Sequence, residues 1–175
     1  NLELPYLRFC SEAVSNRELE ELISLNEEIS AWKLTREIRE AGKSQGSQMI
    51  RMIREIYQCP VSDEFQKMLG KSGEHCQQIT ATALLRNAQE APLVSSMTAW
   101  IYQAVSNFCS ASIKLLRLGE VACQKIIHRS LEKQKIQKVI SNSLEVHRGN
   151  SGFFNPLLDL ASARHELAFS RLFIS

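Results

Sequence analysis

Proline and glycine are scarce in this chain: four and seven of its 175 residues. No stretch alternates apolar and polar residues in the manner of a half-buried strand, and no segment repeats. Those absences exclude the turn-rich all-β architectures. The five cysteines, Cys10, Cys59, Cys76, Cys109 and Cys123, are scattered and include no CxxC pair. Such usage fits a reducing, cytosolic setting and argues against a disulfide framework or a structural zinc site. The opening Asn1-Leu-Glu-Leu has neither a basic start nor an apolar run, so no signal peptide is read there. The chain also lacks an initial Met, from which we expect a start that is missing or was removed. A net charge of +2 is too small to predict nucleic-acid binding. Ala91 to Ile113 carries no charge, yet Ser95, Ser96, Thr98, Gln103, Ser106, Asn107, Ser110 and Ser112 make it too polar for a membrane span of about 20 residues. A central helix covered by its neighbours is the expected reading.

Helix signals fill the rest. Ser15 or Asn16 can cap a helix with Glu18, Glu20 and Glu21 in its first turns and Leu19, Leu22, Ile23 and Ile29 along one side. A second pattern runs from Trp32 to Tyr57 and stops at Cys59-Pro60, because proline cannot continue the ladder. A short helix follows from Ser62 to about Leu69, then a loop over Gly70 to Gly73, then a helix from about Glu74 to Gln89. Pro92 opens the uncharged helix, with Met97, Ile101, Val105 and Phe108 as one stripe, and Leu118-Gly119 breaks it. One more helix is expected through Val121, Ile126, Leu131, Ile136 and Ile140. Arg148 to Asn155 reads as the longest linker. The fold class is all-α: a compact single domain over residues 1–175, a bundle of about seven helices that buries roughly 70% of its unfolded surface.

Two places depart from an ordinary helix. Gly42 and Gly46 stand four apart on one face, and each costs about 1 kcal/mol against alanine. Such a face lets another backbone approach, either in a crossing inside the domain or in a groove for a partner. The Ser/Asn-rich face of the uncharged helix permits tight packing, its hydroxyls bonding to backbone carbonyls.

Reaction centres are missing. Gly42-Lys43-Ser44 and Gly70-Lys71-Ser72 imitate the end of a phosphate loop, but the required earlier glycine is replaced by Glu37 and Phe65, and no strand precedes either. His75-Cys76 are neighbours whose side chains diverge on a helix, and His128, His147 and His165 have no partner at ligand spacing. Ser162, His165 and Glu166 on one helix diverge from the geometry in which a base orients a nucleophile. Glu18 to Glu28 and Lys125 to Lys138 are charged runs that read as solvated faces or as steering surfaces for a charged partner. The residues by themselves describe a helical protein that binds other proteins.

The end of the chain is unusual for a terminus. Pro156 suits a first helical turn, and Asp159 follows where the dipole favours a carboxylate. Leu158, His165, Phe169 and Leu172 recur at helical spacing as an apolar stripe, with His165 read as a core histidine, and Arg164 and Arg171 share another face. A tail of this kind should dock, on its own body or on a partner.

This tail, PLLDLASARHELAFSRLFIS, resembles the end of the UreF family of urease accessory proteins, P-L-L-[DE]-[IL]-A-S-M-R-H-E-x-x-Y-S-R-L-F-x-S, with Ala163 for Met and Phe169 for Tyr. Lys33 to Glu40 followed by Ser44-Gln-Gly46 is similar to that family's K-x-x-x-E-x-R-x-x-S-x-x-Q-G, and His75 stands where the family has a histidine. Ser106-Asn107, Leu116 to Gly119 and Gln124 resemble another family segment, with Glu120 for Gln and Cys123 for Gly. The family's opening segment, roughly F-P-x-G-x-F-x-H-S-x-G-L-E, has no counterpart here. The resemblance implies an all-helical, non-enzymatic chaperone of urease maturation. It implies as partners a UreD/UreH-type protein, the GTPase UreG and apo-urease, and a homodimer. Nickel belongs to that pathway, and no cofactor or metal site is expected on this chain. The resemblance also implies a partner-facing tail comprising Arg164, His165, Glu166, Ser170, Arg171, Leu172 and Phe173, with Arg171 the foremost, and a second contact surface at Ser44, Gln45 and Gly46. In that reading the apolar stripe anchors the tail helix, and Arg171 with the residues after it reaches the partner. An unrelated helical scaffold that shares the tail by chance is the alternative.

Overall fold

Tyr6, Leu7, Leu22, Leu25, Ile29, Ile53, Phe65, Leu69, Ile79, Leu84 and Met97 lose essentially all contact with solvent and define the core. They come from six successive helices of the computed structural model, which describes residues 2–72, 75–116, 118–152 and 155–165. Those residues form an all-α fold without strands. Its helices are α1 (Glu3–Asn16), α2 (Leu19–Trp32), α3 (Arg36–Tyr57), α4 (Pro60–Ser72), α5 (Gln78–Ala88), α6 (Leu93–Leu116), α7 (Glu120–Ser130), α8 (Lys133–Glu145) and α9 (Pro156–His165), with a 3-10 turn at Arg148–Asn150. No helix among the described residues is long and apolar enough to cross a membrane.

The described residues thus hold nine helices where about seven were expected. The helix expected from Ser15 is α2, which begins only at Leu19, and α1 ahead of it was not foreseen. Its C-terminus is set by Arg17 in the left-handed region (φ 59°), whose N–H reaches back to the Ala13 and Val14 carbonyls. The last helix of the middle region is two, parted at Leu131 and Glu132, while α3 begins only at Arg36. Gly70 continues α4, which runs on to Ser72 in place of the expected loop.

α5 is the inner helix, packed against α1, α2 and α3. Thr80, Ala81 and Ala83 are buried on it, and their small side chains allow that close approach. Its entry is held from two sides. Asn26 of α2 is fully buried, donates its amide to the His75 carbonyl at 3.0 Å, and accepts the Gln77 N–H at 2.8 Å. On the other side α3 crosses at Gly46, where a Cβ would stand 2.6 Å from the Gln77 carbonyl carbon. The glycine pair therefore serves an internal crossing, the first of the two readings that the spacing allows.

The linker before α9 is pinned to the body. The Arg148 guanidinium spans Glu21, Ser24 and Glu28 of α2, with Nε 3.1 Å from both Glu28 carboxylate oxygens, and Arg8 of α1 donates to the Val146 carbonyl at 2.6 Å. Tyr6 also donates to Glu28, at 2.7 Å. The Arg148 hydrogen bond, ahead of the opposing desolvation, holds the Glu28 carboxyl below its ordinary value of 4.5. A carboxyl depressed on folding stabilises the fold above the unfolded pKa, and that stabilisation is lost as pH falls through the folded value. Arg148→Ala is expected to cost about 1–2 kcal/mol near neutral pH, discounted because the pair is partly exposed. The difference from wild type should shrink below about pH 4. Thermal melts of both proteins across that range check it, and a difference independent of pH would contradict it.

Candidate functional site

Two stretches singled out in the sequence meet at the start of α3. α9 begins at Pro156, and Asn155 caps it by accepting the Leu158 N–H on Oδ1 at 3.2 Å. None of the described α9 residues is buried. What ties the helix to the body is polar: Ser162 Oγ donates to Thr35 Oγ1 at 3.0 Å, and His165 Nδ1 lies 2.9 and 3.1 Å from the two Glu37 carboxylate oxygens. A carboxylate only accepts, so Nδ1 carries the proton. His165 is therefore a surface-linked histidine and not the core residue its apolar stripe suggested. Ser162 and His165 bond to different α3 residues, not to one another as a nucleophile and base would.

The apolar stripe fares similarly. Of its members, Phe169 and Leu172 lie outside the described residues. Leu157 and Leu160, which are not part of the stripe, are 79% and 53% exposed. The stripe's Leu158 is 43% exposed and lines a cavity of about 640 Å³ between the α2–α3 link, α6 and α9. Lys33, Leu34, Ile38 and Phe108 line it as well. Phe108, expected inside with Met97, is 76% exposed, because α6 outruns the core beyond its first turns. Lys33 turns its amine inward to donate to Gln77 Oε1 at 2.9 Å, and desolvation lowers its pKa from the ordinary lysine value. Arg39 donates to the Lys33 carbonyl at 3.1 Å, fixing the link from which Thr35 and Glu37 reach α9. Lys33, Glu37 and Arg39 are the named positions of the K-x-x-x-E-x-R segment, so that segment builds the seat of the tail helix.

α3 sorts the second expected surface by face. Seven residues make nearly two whole turns, so Glu37 and Ser44 lie on one side, about 10 Å apart along the axis. Ser44 and Gln45 are exposed, and Gln48 Nε2 stands 3.5 Å from Ser44 Oγ. Gly46 lies about 200° round from Ser44 and is buried against α5. Structure thus places Ser44 and Gln45 outside and Gly46 inside. Arg164 is exposed. Glu166, Ser170, Arg171, Leu172 and Phe173 lie outside the described residues.

Comparison with known proteins places the chain. The UreF family model matches residues 1–131. The chain belongs to the UreF family. Relatives named urease accessory protein UreF include one from Arthrobacter sp. (strain FB24), 24% identical over 169 residues that cover 97% of this chain and 72% of the relative. Another, from Marinomonas sp. (strain MWYL1), is 25% identical over 174 residues, covering 99% of this chain and 71% of the relative. The UreF of Chromohalobacter salexigens is 26% identical over 173 residues, with 99% and 71% covered. These alignments extend through the tail of this UreF-family chain, beyond the span of the family model. The relatives are named as accessory proteins of urease, not as enzymes, and family membership removes the unrelated-scaffold alternative. The residues that sequence reasoning quoted but did not select are Thr35 and Glu37. The signal for Glu37 lay in the family segment itself, which set it four residues from Lys33, whereas Thr35 stands at an unspecified position of that segment.

Proposed function

We propose that this UreF-family chain is a non-enzymatic chaperone of urease maturation. It links a UreD/UreH-type protein, the GTPase UreG and apo-urease, and it modulates GTP hydrolysis by UreG. Nickel is the cargo of that assembly rather than a resident ion of this chain. The reading includes a cytoplasmic location, a homodimer, a single domain over residues 1–175, and no nucleic-acid or membrane partner.

The observation that carries it is the way α9 is attached. Two polar contacts, at Thr35 and Glu37, fix the direction of a helix whose Leu157 and Leu160 stay open to solvent. A helix oriented but not covered is suited to present the residues it leads into. In this reading Arg164, Glu166, Ser170, Arg171, Leu172 and Phe173 make the partner contact, His165 orients them, and Ser44 and Gln45 extend the surface along α3. Gly46 supports that surface from behind.

Co-purification of the purified chain with UreD/UreH-type protein and UreG tests the proposal. Arg171→Ala and Leu157→Asp should each weaken capture roughly tenfold or more, since an arginine or a large apolar residue at a contact centre contributes about 2 kcal/mol or more. Thermal stability should stay close to wild type, because Leu157 is not in the core. Unchanged capture by both variants, and unchanged UreG turnover of GTP on adding the wild-type chain, would overturn it.

A further inference from the structure

All five cysteines are free thiols, but they are not equivalent. Cys10 and Cys76 belong to the core, and burial pushes the Cys10 thiol up to about 12 and the Cys76 thiol further. Cys109 and Cys123 lie apart from that core, at the junction of α6 and α7. Each reaches across to the other's backbone: Cys109 Sγ to the Cys123 carbonyl at 3.9 Å, and Cys123 Sγ to the Cys109 carbonyl at 3.6 Å. Reciprocal bonds of this kind set both sulfurs in the gap between the same two helix turns. Both cysteines also line a cavity of about 280 Å³, whose wall includes the exposed Phe108 and Ile126. That volume accommodates a small oxidant. Cys123 is the one buried residue of α7, and α7 packs mainly on α6. What happens between these two sulfurs therefore governs how α7 is held.

We propose that Cys109 and Cys123 form a redox site at which a peroxide joins α6 to α7 through a disulfide. One thiolate attacks a peroxide oxygen, the O–O bond breaks, and a sulfenic acid forms with release of water. The second sulfur then attacks the first, the S–O bond breaks, and a second water leaves. Two thiol hydrogens and two electrons pass to the peroxide, and a thiol reductant reverses the change. The link would constrain the α7 helix, whose one buried side chain is that of Cys123. The resemblance to the family puts glycine at position 123, so the pair belongs to this chain's own sequence. Desolvation, and then the neighbouring Cys109 thiol, raise the Cys123 pKa above the ordinary thiol value, so the reaction should quicken between about pH 7 and about pH 9.

The test treats the full chain with hydrogen peroxide and maps it by mass spectrometry without reduction. Lys114 and Arg117 lie between the two cysteines, so trypsin separates their peptides unless a disulfide joins them. The expected result is an intact mass lower by two hydrogens, a joined Cys109–Cys123 peptide pair, and roughly tenfold slower hydrogen exchange across α7, all reversed by dithiothreitol. Cys123→Ser should abolish the mass loss. If that variant fails to fold, the wild-type map decides alone. Oxidation that yields only sulfinic or sulfonic acids at these positions, links to Cys59, or links between molecules would overturn the proposal.

Discussion

Replacing Gly46 with alanine is expected to destabilise the fold by about 2–4 kcal/mol, although alanine is the better helix former by about 1 kcal/mol. A Cβ at that position would meet backbone, with the Cys76 and Gln77 carbonyl carbons at 2.7 and 2.6 Å. Backbone cannot rotate away, so α3 must lift from α5 along the densest crossing of the fold. The neighbouring glycine provides the control. A Cβ at Gly42 would meet the ends of the Lys33 and Gln77 side chains. The lysine can swing out, but the enclosed Gln77 then loses the amine that its Oε1 accepts, so Gly42→Ala should cost about 1 kcal/mol once the gain in helix propensity is set against it. At roughly 2–4 °C per kcal/mol for a chain of this size, the two variants should part by about 2 °C or more in Tm. Equal melting points would contradict the assignment of Gly46 to the internal crossing. Partner capture by the residual folded Gly46 variant should be normal, since Ser44 and Gln45 are exposed and Gly46 is not.

Asn26→Leu should cost a comparable amount, about 2–4 kcal/mol. The side chain is fully buried and uses both its amide groups on the segment that leads into α5. Leucine has nearly the right volume but leaves the Gln77 N–H and the His75 carbonyl without their partner, at about 1–3 kcal/mol for each group fully deprived of water. The exposed position of His75 lets water repair part of its share. Gln77 is fully enclosed, so its share stands. Urea unfolding of the variant checks the prediction, and a midpoint within error of wild type would refute it. Asn26 and Gly46 thus act on the same three residues, 75 to 77, from opposite sides. Losing either should loosen the start of α5 before the rest of the core.

The all-α class was legible because every long segment carries a helical period and none carries a strand period. Helix ends were much less so. α1, α3 and the turn after α5 close on Arg17, Gln58 and Glu90, which take positive φ (59°, 47° and 53°) without glycine. Such a residue gives no punctuation that a reader of sequence can see. The breaks at Lys33 and Leu131 likewise carry neither glycine nor proline, and at Lys33 the side chain is held by Gln77 from far along the chain. For the candidate site, the glycine spacing announced a close crossing but could not say whether its partner was α5 or another molecule. The tail stripe misled because a histidine at an apolar register can equally face a carboxylate from elsewhere. Only the fold brings Glu37 to His165, 128 positions apart in sequence. The Arg148 cluster was invisible for the same reason, its partners lying 120 to 127 positions away.

The central claim is that α9, oriented by Thr35 and Glu37, presents the chain to its partners. Hydrogen exchange of the chain alone and bound to a UreD/UreH-type protein tests it most directly. Protection should rise across Pro156–His165 and around Ser44 and Gln45 on binding. Protection confined to α7 and α8, with residues 156–165 exchanging as in the free chain, would contradict it.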